Sequence, residues 1–270
     1  MADAPRTPPV IPAPTFAEPA PRIRSIGAED VLAAFRAGID DFRAAPLYGL
    51  AFGAIYAFGG LLLLWITVGA GIGYLTYPLA TGFALIGPFV AVGCYEVSRR
   101  RERGESLDPV SVFGVIFRQG GRELGWMAFV TLFVFIVWMY QVRVLFILCL
   151  GLQGFATLSD FGHALLETSN GWLFLALVHA DGLAFALVTF SLTVVSFPLL
   201  LDREVDFITA MITSIQSVVR NPRTMISWGV IVTALLFVSI LPLFLGLVVA
   251  LPVLGHATWH LYRRLIEPRS

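Results

Sequence analysis

The stretch YGLAFGAIYAFGGLLLLWITVG, at residues 48–69, decides the fold of this chain. It contains no charged residue. An α-helix rises about 1.5 Å per residue, so a helix of this length crosses the roughly 30 Å hydrocarbon core of a bilayer. Such an uninterrupted apolar run is typical of a transmembrane helix. We therefore predict that the chain is a membrane protein.

Similar apolar runs follow at 74–97, 124–148 and 172–199. The residues from 224 to 262 are also almost uncharged. As one helix they would measure about 58 Å, nearly twice the hydrocarbon thickness, whereas two shorter spans that turn near 242–246 fit a bilayer. The sequence thus predicts an all-α fold, a polytopic transmembrane helical bundle of about six spans arranged as three hairpins.

The composition excludes several function classes. The chain is 57% hydrophobic and 13% charged, whereas soluble domains average about 25% charged residues, so an ordinary soluble enzyme is excluded. A net charge of zero argues against a nucleic-acid partner. No phosphate-binding loop, GxSxG or HExxH motif is present, and we expect no enzymatic activity. Cys94 and Cys149 stand alone in apolar runs, which favours two small buried side chains over a disulfide or a zinc site.

Residues 1–27 differ from the rest of the chain. Seven prolines lie between Pro5 and Pro21, and proline fixes φ and lacks an amide donor. We predict a disordered cytoplasmic tail over 1–27, followed by an integral membrane domain over 28–266. The tail lacks the apolar core of a secretory signal peptide, so we expect the first span to direct membrane insertion.

The arginines predict the orientation, because cytoplasmic loops of membrane proteins carry an excess of basic residues. The connections at 70–73 and 151–170 contain no arginine. Arginines lie instead at 22–43, 99–103, 118–122, 203, 220–223 and 263–269. We predict a multi-pass membrane protein with both termini in the cytoplasm. The basic cluster is expected to fix this topology and to contact anionic lipid through Arg99, Arg100, Arg101 and Arg103.

An internal repeat supports an even number of spans. The segment AFRAGIDDFRAAP (34–46) aligns without gaps with AMITSIQSVVRNP (210–222), and each precedes an apolar hairpin. The segment PVSVFGVIFRQGG (109–121) is a looser third copy. We predict three units, each an amphipathic helix followed by a hairpin, at 28–103, 107–203 and 204–266. In the first amphipathic helix the apolar stripe is expected at Val31, Phe35, Ile39 and Phe42.

Two ionisable residues fall inside predicted spans, where charge is costly. Arg143 lies about 10 Å before the outer end of the third span, and Asp181 lies about 13 Å after the outer start of the fourth. Because these spans are antiparallel, we predict that the two side chains pair, with Gln141 and His179 nearby. The pair is either a static clamp or part of a polar path or proton relay. Alternatively, Arg143 reaches the outer interface by snorkelling.

His256 and His260 lie four residues apart and therefore share a helix face. Neutral imidazole binds zinc, copper and haem iron, so this pair is a candidate metal or haem site. Two ligands are too few, and other helices would have to supply His163, His179 or Glu96. The alternative is an interfacial role, in which His256 hydrogen-bonds within the bundle and His260 lies at the headgroup level. The sequence implies no other cofactor.

Four stretches carry a family resemblance: AAPLYGLAFG (44–53), IGPFVAVGCYEVSRRRERGE (86–105), VVSFPLLLDREVD (194–206) and LPVLGHATWHLYRR (251–264). Over residues 28–266 they resemble the bacterial integral membrane proteins grouped as domain of unknown function 2189. The resemblance implies a multi-span inner-membrane protein and assigns no catalytic residue. Some members are labelled as a cytochrome c oxidase subunit. Four histidines cannot supply the ligands of two haems and a copper, so this label implies an accessory protein.

Three functions follow from these observations. The first is a non-catalytic accessory or scaffold protein that associates with another membrane complex, with a terminal oxidase as the candidate, or with further copies of itself. The second is a small-solute or proton-coupled transporter with its polar site at Arg143 and Asp181. The third is a haem or metal protein that uses His256 and His260.

Overall fold

The computed structural model describes residues 21–69, 87–120, 123–152, 158–242 and 244–268. Over these ranges the chain is helical and contains no strand, apart from an isolated antiparallel bridge between Ile23 and Ile266. The predicted all-α class is confirmed.

Eleven helices lie within the described ranges. In chain order they are α1 (Ala28–Ala44), α2 (Pro46–Gly69), α3 (Gly87–Glu102), α4 (Pro109–Gly120), α5 (Glu123–Leu150), α6 (Leu158–Leu166), α7 (Ser169–Thr193), α8 (Ser196–Asp202), α9 (Phe207–Arg220), α10 (Pro222–Ile240) and α11 (Leu247–Leu265).

Four segments in the described part of the chain are long and apolar enough to cross a membrane: Pro46–Thr67, Glu123–Leu150, Ser169–Asp202 and Pro222–Ser239. They correspond to α2, α5, α7 with α8, and α10. The predicted second span, at 74–97, lies partly outside the described residues. The predicted sixth span is α11, which is less apolar and is not among the four. The count of six spans therefore stays a prediction.

The amphipathic helices expected before the hairpins are present as α1, α4 and α9. Two junctions share one geometry. Ala45 ends α1 with φ −133° and ψ 54°, and Asn221 ends α9 with φ −124° and ψ 51°. Each precedes a proline that begins the next helix. The cause is local, because a residue before proline avoids the helical region while proline itself fits a first helical position.

The helix α11 lies at the centre of the packing, and α1 and α2 run antiparallel along it. A Cβ on Gly38 of α1 would lie 2.6 Å from the backbone nitrogen of Ala257, and one on Gly53 of α2 would overlap the carbonyl of Val248. Glycine thus permits this close approach. Because α2 continues from Gly53 to Gly69, about 24 Å farther, the α10–α11 hairpin ends well short of the far end of α2.

The structure shifts the boundary of the predicted tail. Residues 1–20 lie outside the described ranges, but residues 21–27 are held by hydrogen bonds. Arg24 donates its amide to the Leu265 carbonyl at 2.7 Å, and Glu267 donates to Arg22 at 3.0 Å. The Ile26 amide donates to Oδ1 of Asn221 at 2.9 Å. Hydrogen bonds to residues distant in sequence therefore hold residues 21–27 in place, although the prolines predicted that the disordered tail extends to residue 27.

Candidate functional site

Polar side chains concentrate where α1, α3 and α11 meet. We call the group formed by Asp41, Ser98, Arg101, His256 and His260 the carboxylate–histidine cluster. The four-residue spacing of the histidines places both on one face of α11, and the three-residue spacing of Ser98 and Arg101 does the same on α3. Asp41 lies on the buried face of α1.

Asp41 is the centre of the cluster. Its Oδ1 accepts a hydrogen bond from Nε of Arg101 at 2.7 Å, and its Oδ2 lies 2.7 Å from Nε2 of His260. Burial alone would raise the pKa of Asp41. The hydrogen bonds from His260, Ser98 and Arg101 outweigh it and lower the pKa from 3.8 to about 2. Asp41 is therefore ionised at neutral pH, and Nε2 of His260 is the donor because a carboxylate only accepts.

His256 extends the cluster into the bundle. Its Nδ1 lies 2.8 Å from Oγ of Ser98, and both residues are fully buried. This contact joins the buried imidazole of α11 to the hydroxyl of α3. Nε2 of His256 is buried and has no hydrogen-bond partner in the described part of the chain.

The predicted basic cluster turns toward the protein. Glu96 is fully buried and lies 2.6 Å from Arg99 and 2.7 Å from Arg100. Arg101 binds Asp41, and Arg103 lies 3.2 Å from Asp202. Carboxylates of α1, α3 and α8 thus lie close enough to pair with these arginines, and their contact with lipid headgroups stays a prediction. Their effect on topology stays a prediction.

A second acidic group joins the ends of α3, α8 and α11. Glu102 accepts from Nε1 of Trp259 at 3.2 Å and from Nε of Arg263 at 2.9 Å. Asp202 accepts from the hydroxyl of Tyr262 at 2.8 Å and lies 3.4 Å from Nη1 of Arg263. Together with Asp41, these carboxylates tie α1, α3, α8 and α11 to one another, whereas Glu96 pairs with arginines of its own helix, α3.

The residues considered for a metal are not brought together. Among the described residues no group of three or more His, Cys, Asp or Glu side chains is arranged to hold a metal ion. His260 binds Asp41, and Glu96 binds two arginines. His163 lies 2.7 Å from Glu167, and His179 is exposed and contacts the Leu175 carbonyl. Both cysteines are buried and free.

Arg143 and Asp181 lie on neighbouring helices, α5 and α7, but the structure does not bring them together. Trp138 of α5 faces α7, because a Cβ on Gly182 would lie 3.9 Å from its Nε1. Arg143 follows Trp138 by five residues, about 140° around the helix. It is exposed and forms no ion pair or hydrogen bond with the described residues. Gln141 is exposed as well.

Asp181 lies on the face of α7 that packs against α5. Asp181 lies seven residues after Phe174, so the two side chains share one face of α7. The ring of Phe174 packs against Phe146 of α5, with centroids 5.9 Å apart. Oδ2 of Asp181 is buried without a hydrogen-bond partner in the described ranges. The two predicted partners form no ion pair with each other.

Sequence analysis missed the role of Asp41. The expected stripe of α1 was Val31, Phe35, Ile39 and Phe42, whereas the buried residues are Val31, Ala34, Gly38 and Asp41. Small residues make the contact because α11 approaches closely. The spacing of these four residues is the one signal in the sequence that places Asp41 on the buried face.

Residues 75–202 match the family model described as "Predicted integral membrane protein (DUF2189)". The match covers a little under half of the chain and confirms the resemblance over those residues, and its description agrees with the apolar candidate spans. The matched region includes α3, with Ser98 and Arg101, but neither α1 nor α11. No curated protein matches the chain. No solved structure matches it either.

Proposed function

We propose that this chain is a non-catalytic accessory or scaffold protein of the bacterial inner membrane, with both termini in the cytoplasm, associated with another membrane complex. The observation that carries this proposal is the bonding of the buried carboxylates. Asp41 and Asp202 each direct both oxygens to arginine, histidine or tyrosine side chains of the same chain, and Glu96 lies 2.6 Å from Arg99 and 2.7 Å from Arg100. General acid–base catalysis needs a group within reach of a substrate, and these groups are already occupied.

The architecture also supports a binding role. The carboxylates link α1, α3, α8 and α11. Only 6% of the most apolar 18-residue window of α5 is buried inside the chain. A long helix with so little internal contact is available to lipid or to another membrane protein.

A terminal oxidase is the first candidate for the partner complex. This candidate rests on the oxidase label that some members of the resembled family carry. The chain has four histidines, which are too few to supply the ligands of two haems and a copper. The chain would therefore act beside the haem-bearing subunits and would not bind the haems itself.

The experiment is purification of the tagged full chain from its native membranes in a mild detergent. We expect oxidase subunits and their haem absorbance to co-purify in a fixed ratio to the chain. An unrelated tagged inner-membrane protein of similar size is the control and should bring down neither. Recovery of the chain as an isolated monomer without respiratory subunits would contradict the proposal.

A small-solute or proton-coupled transporter is the second candidate. One observation favours it: Oδ2 of Asp181 is buried inside a candidate span and has no hydrogen-bond partner among the described residues. Such a carboxylate is suited to carry a proton. If the chain is a transporter, Asp181→Asn abolishes uptake into reconstituted vesicles while the protein stays folded, and Asp40→Asn, an exposed control, leaves uptake unchanged.

A further inference from the structure

The outward face of α5 carries a regular row of large side chains. Trp126, Phe129, Phe133, Ile136 and Tyr140 follow one another at alternating intervals of three and four residues. Their exposed fractions run from 41% at Ile136 to 65% at Tyr140. We call these five residues and Arg143 the α5 outer face.

The spacing of this row is that of a helix–helix seam. An average interval of 3.5 residues keeps one stripe of a helix against a partner helix along its whole length. The opposite side of α5 already contacts α7, where Thr131, Phe135 and Trp138 border Gly182 and Phe185. The outer face is therefore a second seam. The ring of Phe207 stacks on Trp126 at its start, with centroids 5.8 Å apart, whereas Phe133, Ile136 and Tyr140 farther along stay 41% to 65% exposed.

Arg143 continues this row, three residues after Tyr140. It borders an open cavity of about 440 Å³ together with Met139, Tyr140 and Phe146. It lies seven residues, about 10 Å, before the end of α5 at Leu150. An unpaired guanidinium at that depth is costly, and a carboxylate on the molecule that covers this face would remove the cost.

We propose that the α5 outer face binds a transmembrane helix of another membrane protein, and that this helix carries an aspartate or glutamate at the depth of Arg143. The inference rests on the proposed function, because it names the chemistry of the partner. Arg143 and the aromatic row act together, the charge fixing the register and the rings supplying contact area.

A second copy of this chain fits the face poorly. Two copies share one orientation in the membrane, so α5 against α5 places Arg143 beside Arg143, and like charges repel. Leaving aside the residues at the span ends, Asp181 is the one acidic residue that the structure describes inside the four candidate spans. It faces α5 of its own chain, and its Oδ2 is buried. The partner must therefore bring its own acidic residue.

The test is photocrosslinking of the full chain in living cells. A photoreactive amino acid replaces Phe133 on α5 or, as a matched control, Phe58 of α2, which is equally apolar and 59% exposed. We expect the Phe133 probe to give one discrete crosslink to a helix that contains Asp or Glu. In the Arg143→Gln background its yield should fall about tenfold, and Arg143→Lys should retain most of it.

The reciprocal variant on the partner, its crosslinked carboxylate changed to the amide, should cause the same loss without altering this chain. This second variant keeps the test valid if Arg143→Gln impairs folding. Crosslinks only to lipid, a crosslink to a second copy, or a yield that does not depend on Arg143 would overturn the inference.

The outcome separates this inference from the proposed function. Oxidase subunits that co-purify but crosslink only through Phe58 would leave the accessory role standing and reject the α5 outer face. A crosslink at Phe133 that depends on Arg143 but reaches a protein outside respiratory complexes would support the α5 outer face as a binding site. It would contradict the oxidase as the partner complex.

Discussion

Buried ionisable side chains are paired in the layer formed by α1, α3 and α11, but Arg143 and Asp181 in the hairpin formed by α5 and α7 are not. In the layer, Asp41 and Glu96 are surrounded by arginine, histidine and serine donors. In the hairpin, Arg143 and Asp181 have no ionic partner among the described residues.

The difference concerns packing as well as charge. In the layer, α1 and α11 approach so closely that Gly38 leaves no room for a Cβ, whereas Gly182 in the hairpin has ordinary contact distances. Asp41 and Glu96 therefore find their ionic partners within one chain, and the hairpin offers surface to its surroundings. The following predictions compare the two regions.

The largest effect is expected from Gly38→Val. The added side chain would overlap the backbone of Ala257, because the Cβ alone would lie 2.6 Å from its nitrogen. Such overpacking should lower the free energy of unfolding by about 3 kcal/mol. Unfolding in detergent micelles, followed by circular dichroism, measures the change. Gly182→Ala is the matched substitution in the hairpin and should stay within about 0.5 kcal/mol of the wild type.

Asp41→Asn should lower the free energy of unfolding by about 2 kcal/mol, because it weakens the hydrogen bonds to Arg101 and His260. The same unfolding assay measures it. Asp181→Asn is the control in the hairpin, where no ion pair in the described ranges is lost. If both variants lose equal stability, the contrast between the two regions is wrong.

Acid should remove the contribution of Asp41. Its pKa is lowered from 3.8 to about 2, so the folded state favours the carboxylate by about 2 kcal/mol. This stabilisation is complete above the unfolded pKa and is lost as the pH falls from about 4 toward 2. Melting curves of the wild type and Asp41→Asn should differ at pH 6 and converge near pH 2. A constant difference would show that Asp41 stabilises the fold without its charge.

Ser98→Ala should have the smallest effect, about 1 kcal/mol, since it removes the hydroxyl that links His256 to Asp41. Unfolding in micelles measures this loss. Ser227→Ala is a suitable control, because the Ser227 hydroxyl bonds only within its own helix, to the Arg223 carbonyl. If both variants lose the same free energy of unfolding, the Ser98 hydroxyl makes no stabilising contact in the carboxylate–histidine cluster.

The sequence was sufficient for features that depend on local pattern. Apolar length predicted α2, α5, α7 and α10, and the prolines at 46 and 222 marked equivalent helix junctions. These features follow from hydropathy and from the steric effect of proline on the preceding residue, and both can be read without knowing the partners.

The sequence was insufficient where helices distant in the chain meet. Asp41 and His260 are 219 residues apart, and no local pattern joins them. The depths of Arg143 and Asp181 were consistent with a pair, but pairing also requires the right rotation of α5, and Trp138 occupies the side that faces α7. Depth follows from residue counting, whereas rotation is set by packing.

The measurement that tests the contrast most directly is a pair of double-mutant cycles, one on Asp41 and His260 and one on Arg143 and Asp181. We expect a coupling energy of about 1 kcal/mol or more for the first pair and less than about 0.5 kcal/mol for the second. A coupling that is absent in the first pair and strong in the second would contradict the assignment of the bonded charges to the α1–α3–α11 layer.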